Sequence, residues 1–221
     1  MCGRFAITLP TDAMARLFSA VPGNDLPEVP NYNVCPTTDI AVVSREAGGR
    51  RLGAMRWGFL PSWYKTPTDG PLLINARAET IAEKPAFRSA SRERRCLIPC
   101  DGFYEWSKDQ DGNRCPWYFT RNDGAPVVFA GVWQVWEKDG EPIRTCAIVT
   151  TGANETMQAV HHRMPVILEP GDWGKWLGEE GHGAAVLMRP AAEDTIGFHR
   201  VGRAVNSNRA TGPGLIEELA A

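Results

Sequence analysis

The stretch Arg94–Trp106, RRCLIPCDGFYEW, holds two strand candidates almost end to end, Cys96–Pro99 and Gly102–Trp106. Both are short and rich in apolar and aromatic residues, the pattern of strands that pack against a core. Working outward, similar runs recur at Arg4–Leu9, Ile40–Arg45 and Leu52–Trp57 on one side, and at Trp117–Thr120, Val127–Trp136 and Ile143–Thr150 on the other. Helical candidates are fewer: Thr11–Ser19, the polar stretch Ala78–Arg94, Asn154–Ala159 and Asp172–Leu177, with Thr11 and Asn154 as N-caps. Strands outnumber helices and do not alternate with them as in a doubly wound sheet. The expected product is an α+β fold: a curved, mostly antiparallel sheet or partial barrel with a few flanking helices, forming a single domain over residues 1–221.

Composition narrows the function. The chain is 43% hydrophobic and 23% charged, an ordinary balance for a globular protein, and its 22 Gly and 17 Pro imply many turns. A formal net charge of −2 argues against coating nucleic acid by bulk charge, so any nucleic-acid site must be built from particular arginines. The N-terminal stretch MCGRFAITLP is too short of apolar residues for a signal peptide, and no later run approaches a membrane span. A cytoplasmic location follows as the expectation, with the six Cys free. Cys96 and Cys100 are the only close Cys pair, and none of the four His accompanies them, so CLIPC reads as buried strand and no metal site is expected. Trp57 and Trp133 read as core.

Cys2 carries more specific chemistry. Aminopeptidases remove an initiator Met when the next residue is small, which would leave Cys2 with a free α-amine beside its thiol. Their ordinary pKa values, about 7.7–8.0 and about 8.5, give each a nucleophilic fraction near neutrality. Such a 1,2-aminothiol condenses with an aldehyde through the amine and closes a thiazolidine through sulfur. A second-position Cys in a frayed terminus is the bland alternative; the continuation Gly3-Arg4-Phe5 into a strand favours a terminus tied into the sheet.

Seven stretches, in order, resemble the SOS response-associated peptidase (SRAP) family, whose members shield abasic sites: MCGRF at 1–5, YNVCPT at 32–37, RWGFLPSW at 56–63, INARAET at 74–80, RRCLIPCDGFYEW at 94–106, HHRMPVIL at 161–168 and RAVNSNRATGPGLI at 203–216. The resemblance implies that Cys2 captures the sugar aldehyde of an abasic site in single-stranded DNA, or at a single-strand/duplex junction, as a covalent thiazolidine. Glu105, expected to be desolvated between Tyr104 and Trp106, would open the sugar ring and shuttle protons. His161 matches the family's His-x-Arg-Met-Pro pattern, with His162 in the variable place, and would assist that transfer. Asn75 would orient the amino end of Cys2 and the sugar; Arg77, two residues on, would share its face of an extended segment.

The DNA groove implied by the same resemblance has Arg4, Arg77 and Arg163 on phosphates, Pro36, Trp63 and Tyr64 as wedge and stacking platform, and Thr150 facing the sugar. Arg50, Arg51, Arg92 and Arg94 read as solvated. No cofactor is called for, a monomer is expected, and association with the nucleoid would follow from binding damaged DNA. Cleavage of the strand through the imine and limited self-proteolysis are secondary activities open to the same residues. Two other classes stay in view: a cysteine peptidase with Cys2 as nucleophile, His161 or Glu105 as base and Asn75 at an oxyanion, and a non-catalytic single-strand-binding module. A peptidase nucleophile need not be residue 2, whereas a thiazolidine needs terminal amine and thiol together; a pure binding module needs no Glu/His pair.

Overall fold

The computed structural model describes residues 2–138, 140 and 142–219. Strands dominate them: β1 (Phe5–Ile7), β2 (Ala20–Pro22), β3 (Asn31–Val34), β4 (Asp39–Glu46), β5 (Gly49–Trp57), β6 (Asn75–Arg77), β7 (Arg95–Cys100), β8 (Gly102–Lys108), β9 (Arg114–Arg121), β10 (Val127–Trp136), β11 (Ile143–Gly152), β12 (Arg163–Pro165) and β13 (Ile196–Arg200). The helices are short: α1 (Thr11–Phe18), α2 (Arg88–Glu93), α3 (Glu155–Gln158) and α4 (Trp173–Leu177). The α+β class and the largely antiparallel pairing agree with the sequence.

The partial barrel is closed. Strands run β11–β10–β7–β4–β5 through antiparallel pairs, and β5 returns to β11 in parallel, with Thr145 opposite Arg56 and Cys146 opposite Trp57. Closure leaves these strands no open edge inside the ring, which suits the continuous burial through most of β4, β7, β10 and β11. A second sheet, β13–β9–β8–β1–β3, lies against it. The two are locked by Phe5 against Trp57 (5.2 Å) and Phe129 (6.1 Å), and by Phe103 against Phe129 (5.6 Å), in tilted and edge-on contacts that aromatic quadrupoles prefer.

The stretch 94–106 is the hinge between the sheets. All of Cys96–Cys100 is buried in β7. At Asp101 the chain leaves the barrel: its N–H donates to Ala6 O at 2.8 Å, and its carboxylate accepts from the Thr8 N–H at 2.5 Å, fastening the corner to the end of β1. Gly102 begins β8 where a Cβ would stand 2.4 Å from Phe119 O and 2.6 Å from the Tyr118 ring, so no larger residue fits without displacement.

Two helical expectations are corrected. Thr11 is the first residue of α1 rather than its cap; Pro10 precedes it and no side chain caps the helix. The polar stretch 78–94 is mostly turns and only Arg88–Glu93 is helical, because Pro85 lacks an N–H and disfavours helix at Lys84. Asn154 does cap α3, its Oδ1 accepting from the Met157 N–H at 2.9 Å. No helix among the described residues is long and apolar enough to cross a membrane.

Candidate active site

Cys2 enters the structure just ahead of β1, which lies between β8 and β3. The Tyr104 N–H donates to Arg4 O at 3.0 Å, extending the β1–β8 pairing toward the terminus, and the Asn75 amide donates to Cys2 O at 3.0 Å. Cys2 and Arg4 are therefore tied down. Met1, whose removal the sequence suggested, lies outside the described residues.

The Cys2 side chain is 1% exposed. Burial first, and the nearby Glu105 carboxylate second, push its thiol well above the ordinary range. That corrects the expectation of a readily ionised thiol. A neutral thiol must give up its proton as sulfur bonds, so a proton acceptor at hand becomes a requirement.

Glu105 is 3% exposed on β8 and lies opposite Trp117 of β9. Its sequence neighbours do not enclose it as expected. Strand alternation turns Tyr104 and Trp106 to the other face, where they pack with Ala6 and Tyr118, while Glu105 shares the face of Phe103 and the neighbourhood of Cys2. Its desolvation comes from tertiary packing.

Asn75 and Arg77 belong to β6, which pairs in parallel with β11: Ile148 faces Asn75 and Thr150 faces Arg77. Asn75 and Arg77 share one face, and Ala76 between them is fully buried on the other. The Asn75 Oδ1 is buried with no hydrogen-bond partner among the described residues, so its acceptor capacity is open. β12 flanks β11 on the other side, with Pro165 opposite Thr150.

His161 stands at the entry to β12. Its Nδ1 lies 3.0 Å from the Arg163 N–H and 3.1 Å from the Arg163 carbonyl. The neutral ring can accept from the first and the protonated ring can donate to the second, so either state finds a partner. The His162 ring stacks on it at 4.4 Å, and the charge of His161 holds His162 below the ordinary imidazole range.

The groove residues divide. Trp63 is 54% exposed, Arg77 is exposed and Pro36 is half-buried. Thr150 is fully buried and takes the Arg163 guanidinium on its carbonyl at 2.9 Å. Three others are engaged internally. Arg4 is buried and donates to Asn33 Oδ1 (2.6 Å), Val205 O (3.0 Å) and Asn208 Oδ1 (2.6 Å), tying the terminus to the stretch 203–216. Arg163 forks onto Glu79 at 2.6 and 2.9 Å and holds that carboxyl below its usual range. Tyr64 is buried, its hydroxyl donating to Pro71 O at 3.2 Å and its carbonyl accepting from the Trp136 indole. An enclosed ring cannot offer a face to a base, so the stacking role expected of Tyr64 has no surface to act from. Glu79 and Asn208 lie inside the quoted stretches INARAET and RAVNSNRATGPGLI, yet nothing in their spacing marked them as arginine partners. Of the arginines read as solvated, Arg50 is bound to Glu179 at 2.7 and 2.8 Å and half-buried, and Arg51 and Arg94 are also half-buried; Arg92 is exposed.

Comparison with known proteins places this geometry. A family model described as SOS response associated peptidase (SRAP) matches residues 1–208. The abasic site processing protein YoqW of Bacillus subtilis (strain 168) is 37% identical over 224 residues, covering 98% of this chain and 99% of that protein. The abasic site processing protein YedK of Escherichia coli (strain K12) is 31% identical over 229 residues, covering 99% of this chain and 100% of that protein. The abasic site processing protein HMCES of Gallus gallus is 33% identical across 83% of this chain and 65% of its own length. A solved structure from Bacteroides thetaiotaomicron shares the fold at a TM-score of 0.86 and 24% identity, over 99% of this chain and 100% of that one.

Proposed function

This chain belongs to the SOS response associated peptidase (SRAP) family, and from that membership we propose that it senses and shields abasic sites in single-stranded DNA, bonding them covalently through Cys2 once Met1 is removed. The observation that carries this reading is the fixing of Cys2 beside a buried carboxylate: Asn75 holds its carbonyl at 3.0 Å, and Glu105 acts on its thiol.

The steps balance without a cofactor. Glu105 and His161 move the protons that open the hemiacetal of the abasic deoxyribose to its aldehyde. The Cys2 amine adds to that carbon, and water leaves to give an imine. The thiol then adds across the C=N bond: sulfur bonds to carbon, and its proton passes to nitrogen by way of Glu105. Because the thiol is held neutral, the amine is the first nucleophile and sulfur the second. His161, with a partner for either protonation state, suits a residue that gives and takes a proton in one cycle. Asn75 Oδ1 is free to accept from the sugar hydroxyl or the terminal amine.

Arg77 and Trp63 supply phosphate and base contacts in this proposal. Arg163 serves by shaping the His161 turn, since its guanidinium is already bonded to Glu79. Strand cleavage through the imine and self-processing of the terminus remain proposals for the same residues. So do action at single-strand/duplex junctions, a single-domain monomer and association with the nucleoid. A peptidase working through Cys2 as thiolate is less well supported, because burial keeps that thiol protonated.

The test uses a labelled single strand with one abasic site, mixed with the processed protein and run on a denaturing gel after heating. A heat-stable shifted band is expected. Prior reduction of the abasic aldehyde to an alcohol should abolish it. A band that survives that reduction, or Cys2→Ala, would rule the chemistry out.

A further inference from the structure

Beside the candidate site, two hollows of about 420 Å³ each lie side by side and share Trp63, Pro85 and Ala86 in their walls. The first also has Leu72, Lys84 and Phe87, and it reaches the candidate site through Asn75 and Arg77. The second has Trp133, Val135 and Arg94. Trp63, Leu72 and Val135 are 54%, 50% and 44% exposed, three of the seven large hydrophobic residues that stand open among the described residues. An apolar surface concentrated in this way marks a binding site more often than chance exposure does.

Its charge is one-sided. The ionisable residues in the two walls are Arg77, Lys84 and Arg94, all cationic, in a chain whose net charge is −2. Arg94 also touches Glu93 at 3.2 Å, but that carboxylate is 67% exposed and the pair is a weak surface one. Trp133, expected in the core, is only half-buried and stands in this wall, its indole steadied by the Arg144 guanidinium 5.4 Å from the ring centroid. Aromatic faces interleaved with cations, and no acid in the walls, match a single strand: unpaired bases lie on the rings while phosphates meet the cations. A second copy of the chain fits poorly, because a two-fold contact would set these cations against one another.

We propose that on one flank of the abasic position the strand runs on past the Trp63 and Arg77 contacts given above and through both hollows, with the next base against Trp133 and further phosphates at Lys84 and Arg94. It rests on the function proposed above and extends the strand's path well beyond Cys2.

The test uses the full chain and single strands carrying one abasic site plus one 5-iodouracil, moved stepwise to either side of the lesion. After irradiation, digestion and peptide mass spectrometry report two separate linkages. Photo-adducts on Trp63 and Trp133 are expected only from iodouracils on one side of the lesion. Photo-adducts confined to other residues would overturn the proposal. Lys84→Glu combined with Arg94→Glu should weaken non-covalent binding of intact oligothymidylate about tenfold and reduce its salt dependence. Unchanged affinity in a folded double variant would contradict it; if the variant does not fold, the photo-adduct map of the unaltered protein decides. A concentration-dependent dimer abolished by Val135→Glu would also overturn it, since a second copy would then fill the hollow. Failure of the parent chemistry is read separately, as the absence of the Cys2 linkage in the same digests.

Discussion

At the scale of single residues, the site is defined by what surrounds one sulfur. Burial and the Glu105 carboxylate both raise the Cys2 thiol, so its alkylation should keep accelerating above its ordinary value of 9.0 instead of levelling there. Glu105→Gln removes the smaller of these causes. The thiol should then ionise more readily, and alkylation at a given pH should speed up by roughly threefold, followed by peptide mass spectrometry. No change would mean that Glu105 does not act on the sulfur. Asn75→Ala deletes the bond to the Cys2 carbonyl, and loss of one such bond, about 1 kcal/mol, should slow adduct formation by roughly fivefold and lower the melting temperature by only about 2–4 °C. An unaltered rate would remove Asn75 from the site.

At the scale of elements, the long strands and β1 were legible, and β2, β3, β6, β12 and β13 were not. Val127–Trp136 and Ile143–Thr150 announce themselves through continuous β-branched and aromatic runs, and β10 and β11 follow them almost to the residue. The three-residue strands β6 and β12 carry no periodicity, since Asn-Ala-Arg and Arg-Met-Pro have too few apolar positions to show one; they exist because β11 offers both of its edges. Yet these two strands bring Asn75, Arg77 and Arg163 to the site. The residues were therefore readable from motif resemblance, whereas their placement is a tertiary fact. The same holds for Glu105: its burial was expected, but on the wrong face of β8. Gly102 tests the corner that sends Glu105 toward Cys2. Gly102→Ala forces a methyl against Phe119 O and the Tyr118 ring, and overpacking of this kind should cost about 1–3 kcal/mol, read as a lower midpoint in urea. A variant as stable as the parent would show that the corner yields freely.

At the scale of the whole molecule, a closed ring of strands and a facing sheet bury ionisable groups that carry no charge at neutral pH. Burial is the first cause raising Cys2, Cys96, Cys100 and Cys146, and likewise Tyr104 and Tyr118. The unfolded chain loses these protons at their ordinary values, 9.0 for the thiols and 10.0 for the phenols, while the folded chain keeps them. Stability is thus fully present below pH 9 and declines as pH rises beyond it, so the melting temperature should fall steadily from about pH 9 upward. A flat profile to pH 11 would contradict the burial. The central claim also concerns the intact molecule: that processing exposes an amine and a thiol on one residue, and that together they take up an abasic aldehyde. Intact-mass spectrometry measures this directly, before and after mixing with an abasic single strand. The account predicts a protein lacking Met1, converted to a species equal to protein plus strand minus one water, with Cys2→Ala giving no heat-stable product. A protein that retains Met1 and still forms the adduct, or a Cys2→Ala variant that forms it equally well, would contradict the account.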